Sequence, residues 1–438
     1  MLVCLTIARI GEKMETAEKI TESNWMRRFI PIWSAQIFSL LGSGLVQFAF
    51  VWWITQKTGS AALLATATLV AVLPEVFLAP FAGALVDRWN RRKVMIVADL
   101  SIALITLVLA ALFALNLAET WHVFVVMFIR SVGGVFHWPA MQASTSLMVP
   151  EKHFSRVAGV NQALRGSLNI IAPPLGALLM TLLPFYQVIA VDVITAIIAV
   201  SPLLFIRIPQ PVREDAGEMI TPKALWKDMA EGFRYMKTWK GLLYLTMIAA
   251  ILNFLLAPAG TLSPLMVTQH FKAGVWELSI LDSVLGVGGV IGGVLLGIWG
   301  GFKSKIVTSL SGVIGIGFGV LLFGAAPGNM FWMGVAAMAL MGFMLPMANG
   351  PLQAILQSRV PAEMQGRVMG TTNSICMAMM PLSMLVAAPV AELLGLRVWY
   401  WFGGTLVMLL GFGALFIPSI QALEKGPSQI SAAVVAVN

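Results

Sequence analysis

A few ionisable side chains stand inside stretches of sequence that are otherwise apolar. Glu75 follows Pro74, Asp192 lies early in the run 186–206, Asp99 lies near the start of the run 93–116, and Arg130 and Arg165 interrupt two more. A carboxyl group in a low dielectric holds its proton more tightly, so it can load and release one near neutrality as access to water changes. Glu75 is the first candidate for that proton-coupling role and Asp192 the second; the competing reading is an acid permanently paired with Arg130 or Arg165. An arginine at mid-membrane costs about 2.5–3.5 kcal/mol on insertion scales, so Arg130 must face a partner or a wet cavity. His137 follows it by two turns on the same face, and Asn161, Arg165 and Asn169 stack on one face at intervals of four. Asp282 sits too near a span end to matter.

No catalytic constellation is present: there is no HExxH, no GxSxG with partners, and no glycine-rich phosphate loop followed by lysine. The chain is therefore read as a non-enzyme with no metal and no organic cofactor, the proton being its coupling ion. The 14 Trp, 24 Phe and 26 Met exceed what interfacial anchoring needs. Candidates for a broad apolar pocket are Phe48, Trp52, Phe136, Trp138, Phe254, Phe343, Met347, Met377 and Met380. Gln36, His137, Arg165, Asn169, Asn253, Asn349 and Gln353 serve as polar handles. Such a set suits a bulky, lipophilic substrate, including a cationic one.

The elements that must hold these residues are transmembrane helices. Of 438 residues, 58% are hydrophobic and 11% charged, against about 25% charged in soluble domains. Runs 29–56 and 100–118 carry no charge, and 306–358 is broken only by the turn signal at Pro327–Asn329, which makes it two passes. The segments are apolar all round, so the spans are helical. Twelve are expected, near 30–55, 61–85, 93–116, 121–149, 157–182, 186–206, 241–269, 277–301, 305–326, 330–357, 364–391 and 397–420. With both termini inside, 23 of the 28 Lys and Arg fall in cytoplasmic segments, which explains the +8 charge as loop asymmetry without nucleic acid. Cys4 and Cys376 are free thiols by spacing. Structure-bearing sequence begins near Trp25, so Met14 is an alternative start.

The chain repeats itself: VPEKHFSRVAG at 149–159 matches VPAEMQGRVMG at 360–370, and Gln142 and Ala143 match Gln353 and Ala354 at the same offset. Two six-helix halves follow, with a cavity between them at the midplane. The expected organisation is a cytoplasmic segment 1–24, a half 25–206, a cytoplasmic linker 207–240, a half 241–420 and a tail 421–438. In the linker, Thr221 caps a helix with Pro222 first, and Leu225, Met229, Phe233 and Met236 share a face laid on the membrane surface. Glycine clusters at 286–293 and 312–319 allow close helix packing.

The loop GALVDRWNRRKV at 83–94 resembles the hallmark loop of the major facilitator superfamily. Gly83, Asp87, Arg88, Arg92 and Lys93 match, while Asn90 replaces a glycine and would keep its left-handed turn. The resemblance implies a cytoplasmic gate in which Asp87 works with Arg91 or Arg92, joined by Asp99. Arg130 followed by Gly133 and Gly134 is similar to an element of the family's fourth helix. Pro173 and Gly176 in APPLGA resemble its antiporter element. W-x-x-x-K-T-G-S at Trp53–Ser60 and FIRSVGGVFHWPA extend the likeness toward macrolide-efflux-type drug:proton antiporters. What this implies is an all-α membrane protein with the major facilitator fold. Its twelve helices form two pseudo-symmetric halves that export lipophilic drugs from a bacterial inner membrane by alternating access. It would work as a monomer in the lipid bilayer, with room for an accompanying ABC-type resistance ATPase. The rivals are a proton-coupled nutrient importer and a non-transporting sensor or assembly factor on the same fold.

Overall fold

Uninterrupted apolar sequence makes long helices because a chain in lipid must satisfy its own backbone hydrogen bonds. The computed structural model describes residues 2–208 and 222–425. The helices of the first part are α1 (Leu2–Thr58), α2 (Ala61–Arg88), α3 (Arg91–Ala114), α4 (Thr120–Met148), α5 (Phe154–Leu182) and α6 (Phe185–Phe205). Those of the second are α7 (Pro222–Thr238), α8 (Lys240–Thr261), α9 (Ser263–Leu265), α10 (Val275–Trp299), α11 (Lys305–Ala325), α12 (Phe331–Arg359), α13 (Ala362–Leu394), α14 (Leu396–Leu415) and α15 (Pro418–Gln421). A π-helical turn, Met266–His270, extends α8 and α9 into one span. Among the described residues twelve helical segments are long and apolar enough to cross a membrane, and they coincide with the twelve expected runs. The last is shorter than its apolar run: α14 stops at Leu415, and Pro418, which suits a helix start, opens α15.

Helix ends are set by local chemistry. Asn90 has φ −69° and ψ 107°, extended and not left-handed, because it is the N-cap of α3 and its side chain accepts from Lys93 N at 3.1 Å. The expected glycine-like turn is thus replaced by a cap, the use for which asparagine is strongly preferred. Ser304 caps α11, and Glu424 accepts from Ser304 Oγ and Ile306 N as well.

The described residues fall into two compact units that do not follow the sequence halves. One holds 2–46, 77–168 and 183–208; the other holds 47–76, 169–182 and 222–425. In the first, α3 packs on α4 and α6, and Val97, Leu100, Leu104, Leu107 and Val108 keep an apolar stripe exposed, as a lipid-facing helix does.

In the second unit, α12 packs on α10 and α11, and α14 on α11. The glycine clusters make these contacts: a Cβ on Gly288 would lie 2.5 Å from Ala339 O, and one on Gly317 2.7 Å from Met408 N. Gly292 and Gly342 meet the backbone of Phe343 and Leu285 even more closely. Residues 47–76 join this unit through named contacts. Glu392 accepts from Ser60 Oγ at 3.0 Å and Ala62 N at 3.1 Å, Gln269 donates to Gly59 O at 2.7 Å, and Ala65 packs with Met384 and Ala388. Residues 169–182 join through Ser283, which donates to Ile170 O at 2.9 Å.

α7 begins at Pro222, as expected, but it docks on α13 where a helix laid on the bilayer was anticipated. Gly232 sits against Arg367 O and Thr371, Glu231 pairs with Arg367 at 2.9 Å, and Met236 is fully buried. Phe233 is turned outward, with the Lys237 ammonium 4.9 Å from its ring. Thr221 and the rest of 209–221 lie outside the described residues, as does the tail from 426; the Leu225 side chain is likewise not described.

Packing at this density makes a sharp contrast testable. Gly292→Val or Gly342→Val forces a side chain into backbone and is expected to destabilise by at least about 1–3 kcal/mol, the range for overpacking. Gly297→Val, whose Cβ meets nothing within 4 Å, leaves stability unchanged. Thermal denaturation of detergent-solubilised variants, followed by size-exclusion recovery, checks the pair.

Candidate functional site

The first unit gathers the buried charges. Gly42 on α1 lies so close to Thr195 of α6 that a Cβ would be 3.0 Å from the threonine Cβ, and Gly133 on α4 likewise seats Ile102 of α3. These close approaches bring four helices around one point. There Arg130 pairs with Asp192, donates to Thr106 Oγ1 at 3.2 Å, and donates to the carbonyl of Ser43 at 3.4 Å. Asp192 also accepts from Ser43 Oγ at 2.9 Å and from Thr106 Oγ1 at 3.4 Å, and it is 1% exposed. An ion pair in an apolar interior is held only when further hydrogen bonds support it, and Ser43 and Thr106 supply them to both partners here. Asp192, proposed from sequence as a proton carrier, is thus tied to the very arginine named as its alternative partner.

A second polar group lies about two turns away along α3 and α4. Asp99 accepts from Gln36 Nε2 at 3.2 Å, and His137 Nε2 stands 3.3 Å from Asp99 Oδ1. That distance suits an ion pair when the imidazole is protonated, but the alignment is not that of a hydrogen bond, and Gln36 Oε1 also has no partner. All three residues are buried. Asp99, on α3, is therefore engaged with residues of α1 and α4 and not with the loop at 83–94, where the sequence reading places it. The register explains this: eight residues separate Asp99 from Arg91, placing it about two turns deeper along α3.

The loop itself is stapled down. Arg91 pairs with Asp87 at 3.2 Å and donates to Ala143 O at 3.2 Å. Arg92 donates from Nε to Leu203 O and from Nη2 to Leu204 O at 2.7 Å, closing the carbonyl end of α6. Trp89 stacks on Phe136 at 5.9 Å, so Phe136 anchors the loop. Arg88 and Lys93 flank these contacts, and a Cβ on Gly83 would meet open space, so packing does not explain that glycine.

A cleft in the same unit is lined by Trp33, Trp138, Gln142, Asn161, Leu164 and Arg165 among others. The Arg165 guanidinium lies 3.3 Å from the centre of the Trp138 ring, and Trp33 Nε1 donates to Asn161 Oδ1 at 2.6 Å. Apolar side chains make up most of the cleft's lining, with Gln142, Thr145, Asn161 and Arg165 as the polar members.

The other candidates lie in the second unit. Phe48, Trp52 and Met347 are buried, Phe254 tilts against Trp399 at 6.2 Å, and the Phe343 backbone fills the groove at Gly292. Asn253 and Asn349 donate to carbonyls one turn back, Ala249 O and Leu345 O. Met377 and Met380 are half-buried, and Asn169 and Gln353 are exposed. Pro173 and Gly176 are buried inside α5, which continues through them. Glu75 is exposed, and neither it nor half-buried Asp282 has a hydrogen-bond or ion-pair partner among the described residues.

Sequence reasoning missed Ser43, Thr106 and Glu392. A lone Thr106 in the charge-free run 100–118 was the available signal for one of them. No group of His, Cys, Asp and Glu that could hold a metal occurs among the described residues.

Comparison with known proteins bears on the family and the fold. The chain is 33% identical to macrolide efflux protein A of Streptococcus pyogenes over 403 residues, 92% of this chain and 98% of that protein. It is 24% identical to the multidrug efflux pump Tap of Mycolicibacterium fortuitum over 87% of this chain and 94% of the pump. The crystal structure of a point mutant of the nucleoside transporter NupG superposes with a TM-score of 0.69 at 16% identity, covering 88% of this chain and 98% of that one. The model of the Major Facilitator Superfamily matches residues 32–383, so this multi-pass membrane protein belongs to that superfamily and is a transporter.

Proposed function

We propose that this protein exports lipophilic drugs, macrolide antibiotics foremost, across a bacterial inner membrane in exchange for protons. The observation that carries the reading is the 33% identity to a macrolide efflux protein over nearly the whole of both chains. Multidrug pumps among the relatives support a broad apolar cargo. Proton exchange is supported by a carboxylate buried at 5% exposure in a spanning helix, Asp99, which has no arginine or lysine among its described partners. Such acids are rare in lipid and mark ion or proton pathways.

The proposed cycle is alternating access by a monomer with both termini in the cytoplasm, an orientation supported by the 23 of 28 cations assigned to that side. Drug enters from the cytoplasm or inner leaflet, a proton enters from outside, and each is released on the opposite side. Asp87, Arg91 and Arg92 act as the cytoplasmic latch, and the Arg130–Asp192 pair is the fixed centre of its unit.

Expression in a drug-sensitive host is expected to raise the macrolide concentration that stops growth. Inverted membrane vesicles are expected to accumulate radiolabelled macrolide under a proton gradient and to lose it when a protonophore is added; absence of gradient-driven accumulation sinks the antiport reading. A separate experiment addresses the ion pair. Arg130→Ala leaves a buried carboxylate unpaired and should destabilise by about 3–5 kcal/mol, whereas the double change Arg130→Met with Asp192→Leu recovers most of that loss but no transport. Equal melting temperatures for the single and double variants, measured in detergent, contradict this account.

A further inference from the structure

We infer that the coupling proton is carried by the buried Asp99–His137 pair, with Gln36 as its switchable partner, and not by Asp192 or Glu75. The inference rests on the efflux reading above and adds the site at which the proton binds. Its basis is how each nearby charge is engaged. On α4, Arg130 pairs with Asp192 of α6; on α3, Arg91 holds Asp87 and a carbonyl; on α5, Arg165 lies over Trp138. α1 contributes only the neutral Gln36 at this point, and Arg92 is spent on the end of α6. The group that faces Asp99 and can neutralise it is the His137 imidazole, 3.3 Å away.

Imidazole is the side chain whose ordinary titration falls between about pH 5 and 8. With the ring protonated the pair is neutral overall; without that proton a carboxylate is left in a site where Asp99 is 5% exposed and His137 8% exposed. The proton thus belongs to the pair as a unit. It arrives from water, forms an N–H bond at His137 Nε2, and leaves to water on the other side; no other bond changes. Asp192 is unsuited to this cycle because arginine does not deprotonate and its carboxylate is already compensated.

Two buried atoms without hydrogen-bond partners, Gln36 Oε1 and His137 Nε2, complete the argument. Buried polar atoms are nearly always satisfied, so these two are free to gain partners in a second arrangement of the cluster. The Gln36 amide donates to Asp99 as observed; turned over, it accepts from a protonated ring. α1 would thereby feel the protonation of α4 directly.

The test uses His137→Gln and Asp99→Asn in inverted vesicles with radiolabelled macrolide, comparing gradient-driven accumulation with counterflow in the absence of a gradient. Accumulation is expected to fall by about tenfold or more while counterflow falls far less, a split that a merely structural role does not produce. Wild-type accumulation in either variant overturns the proposal, and so does an equal loss of both activities in protein that remains monodisperse. Should the variants fail to fold, ¹³C-histidine NMR of the otherwise intact protein decides, with His122, His153 and His270 substituted to isolate His137. A resonance that titrates between about pH 5 and 8 and moves on adding macrolide supports the pair; one that stays fixed across that range overturns it. Absence of all macrolide transport in wild-type vesicles defeats the efflux reading alone, because the His137 titration still reports on the proton site.

Discussion

A guanidinium and a carboxylate cannot be left apart in an apolar bundle, and that constraint organises the first unit. Arg130 and Asp192 sit on different helices, and the groups that complete their coordination, Thr106 and Ser43, sit on two more. Any separation of α1, α3, α4 or α6 at this level exposes an unpaired charge to hydrocarbon. The glycines at 42 and 133 exist at the contacts that allow the approach. The Asp99 cluster and the carbonyls that staple the loop are carried by these same helices. The pairing also separates two carboxylates that look alike in sequence: Asp192 is paired with an arginine, while Asp99 faces an imidazole and an amide.

The second unit is held by a different means. Its helices meet through backbone, glycine against carbonyl, and its buried polar side chains mostly return to main chain: Trp399 to Leu255 O, Tyr400 to Ala259 O, Ser309 to Ala348 O. Without a hydrophobic effect between lipid-solvated helices, close van der Waals contact is the available attraction, and small residues supply it. Its described ion pair, Glu231–Arg367, ties α7 to the start of α13, where a partly exposed pair contributes little beyond position.

The helices were legible in the sequence because length and apolarity alone decide them in a membrane, and the loop at 83–94 was legible because Asp87 among cations has no other reason to be there. What charge counting does not carry is register in three dimensions. Asp99 was grouped with the loop since it is close in sequence, yet two helical turns take it to Gln36 and His137. Asn90 was read by analogy with glycine, while its side chain caps α3. Phe136 was read as pocket and stacks on Trp89. The compact units depart from the six-helix halves for a similar reason. The repeat records the symmetry of the chain, whereas contacts such as Glu392 with Ser60 record packing. Aromatic and methionine candidates were the least decidable, because a packed ring and a ligand-binding ring have the same sequence signature.

The Arg92 staple has a consequence for the order in which the protein is made. During insertion the four basic residues around the α2–α3 turn, Arg88, Arg91, Arg92 and Lys93, count only by their sign under the positive-inside rule, which does not distinguish arginine from lysine. After folding, Arg92 spans two adjacent carbonyls at the end of α6 with a planar fork, which a single ammonium point charge does not reproduce. One side chain is therefore read twice, first as charge by the insertion machinery and later as shape by a helix more than a hundred residues downstream. The second reading restricts its chemistry more tightly than the first.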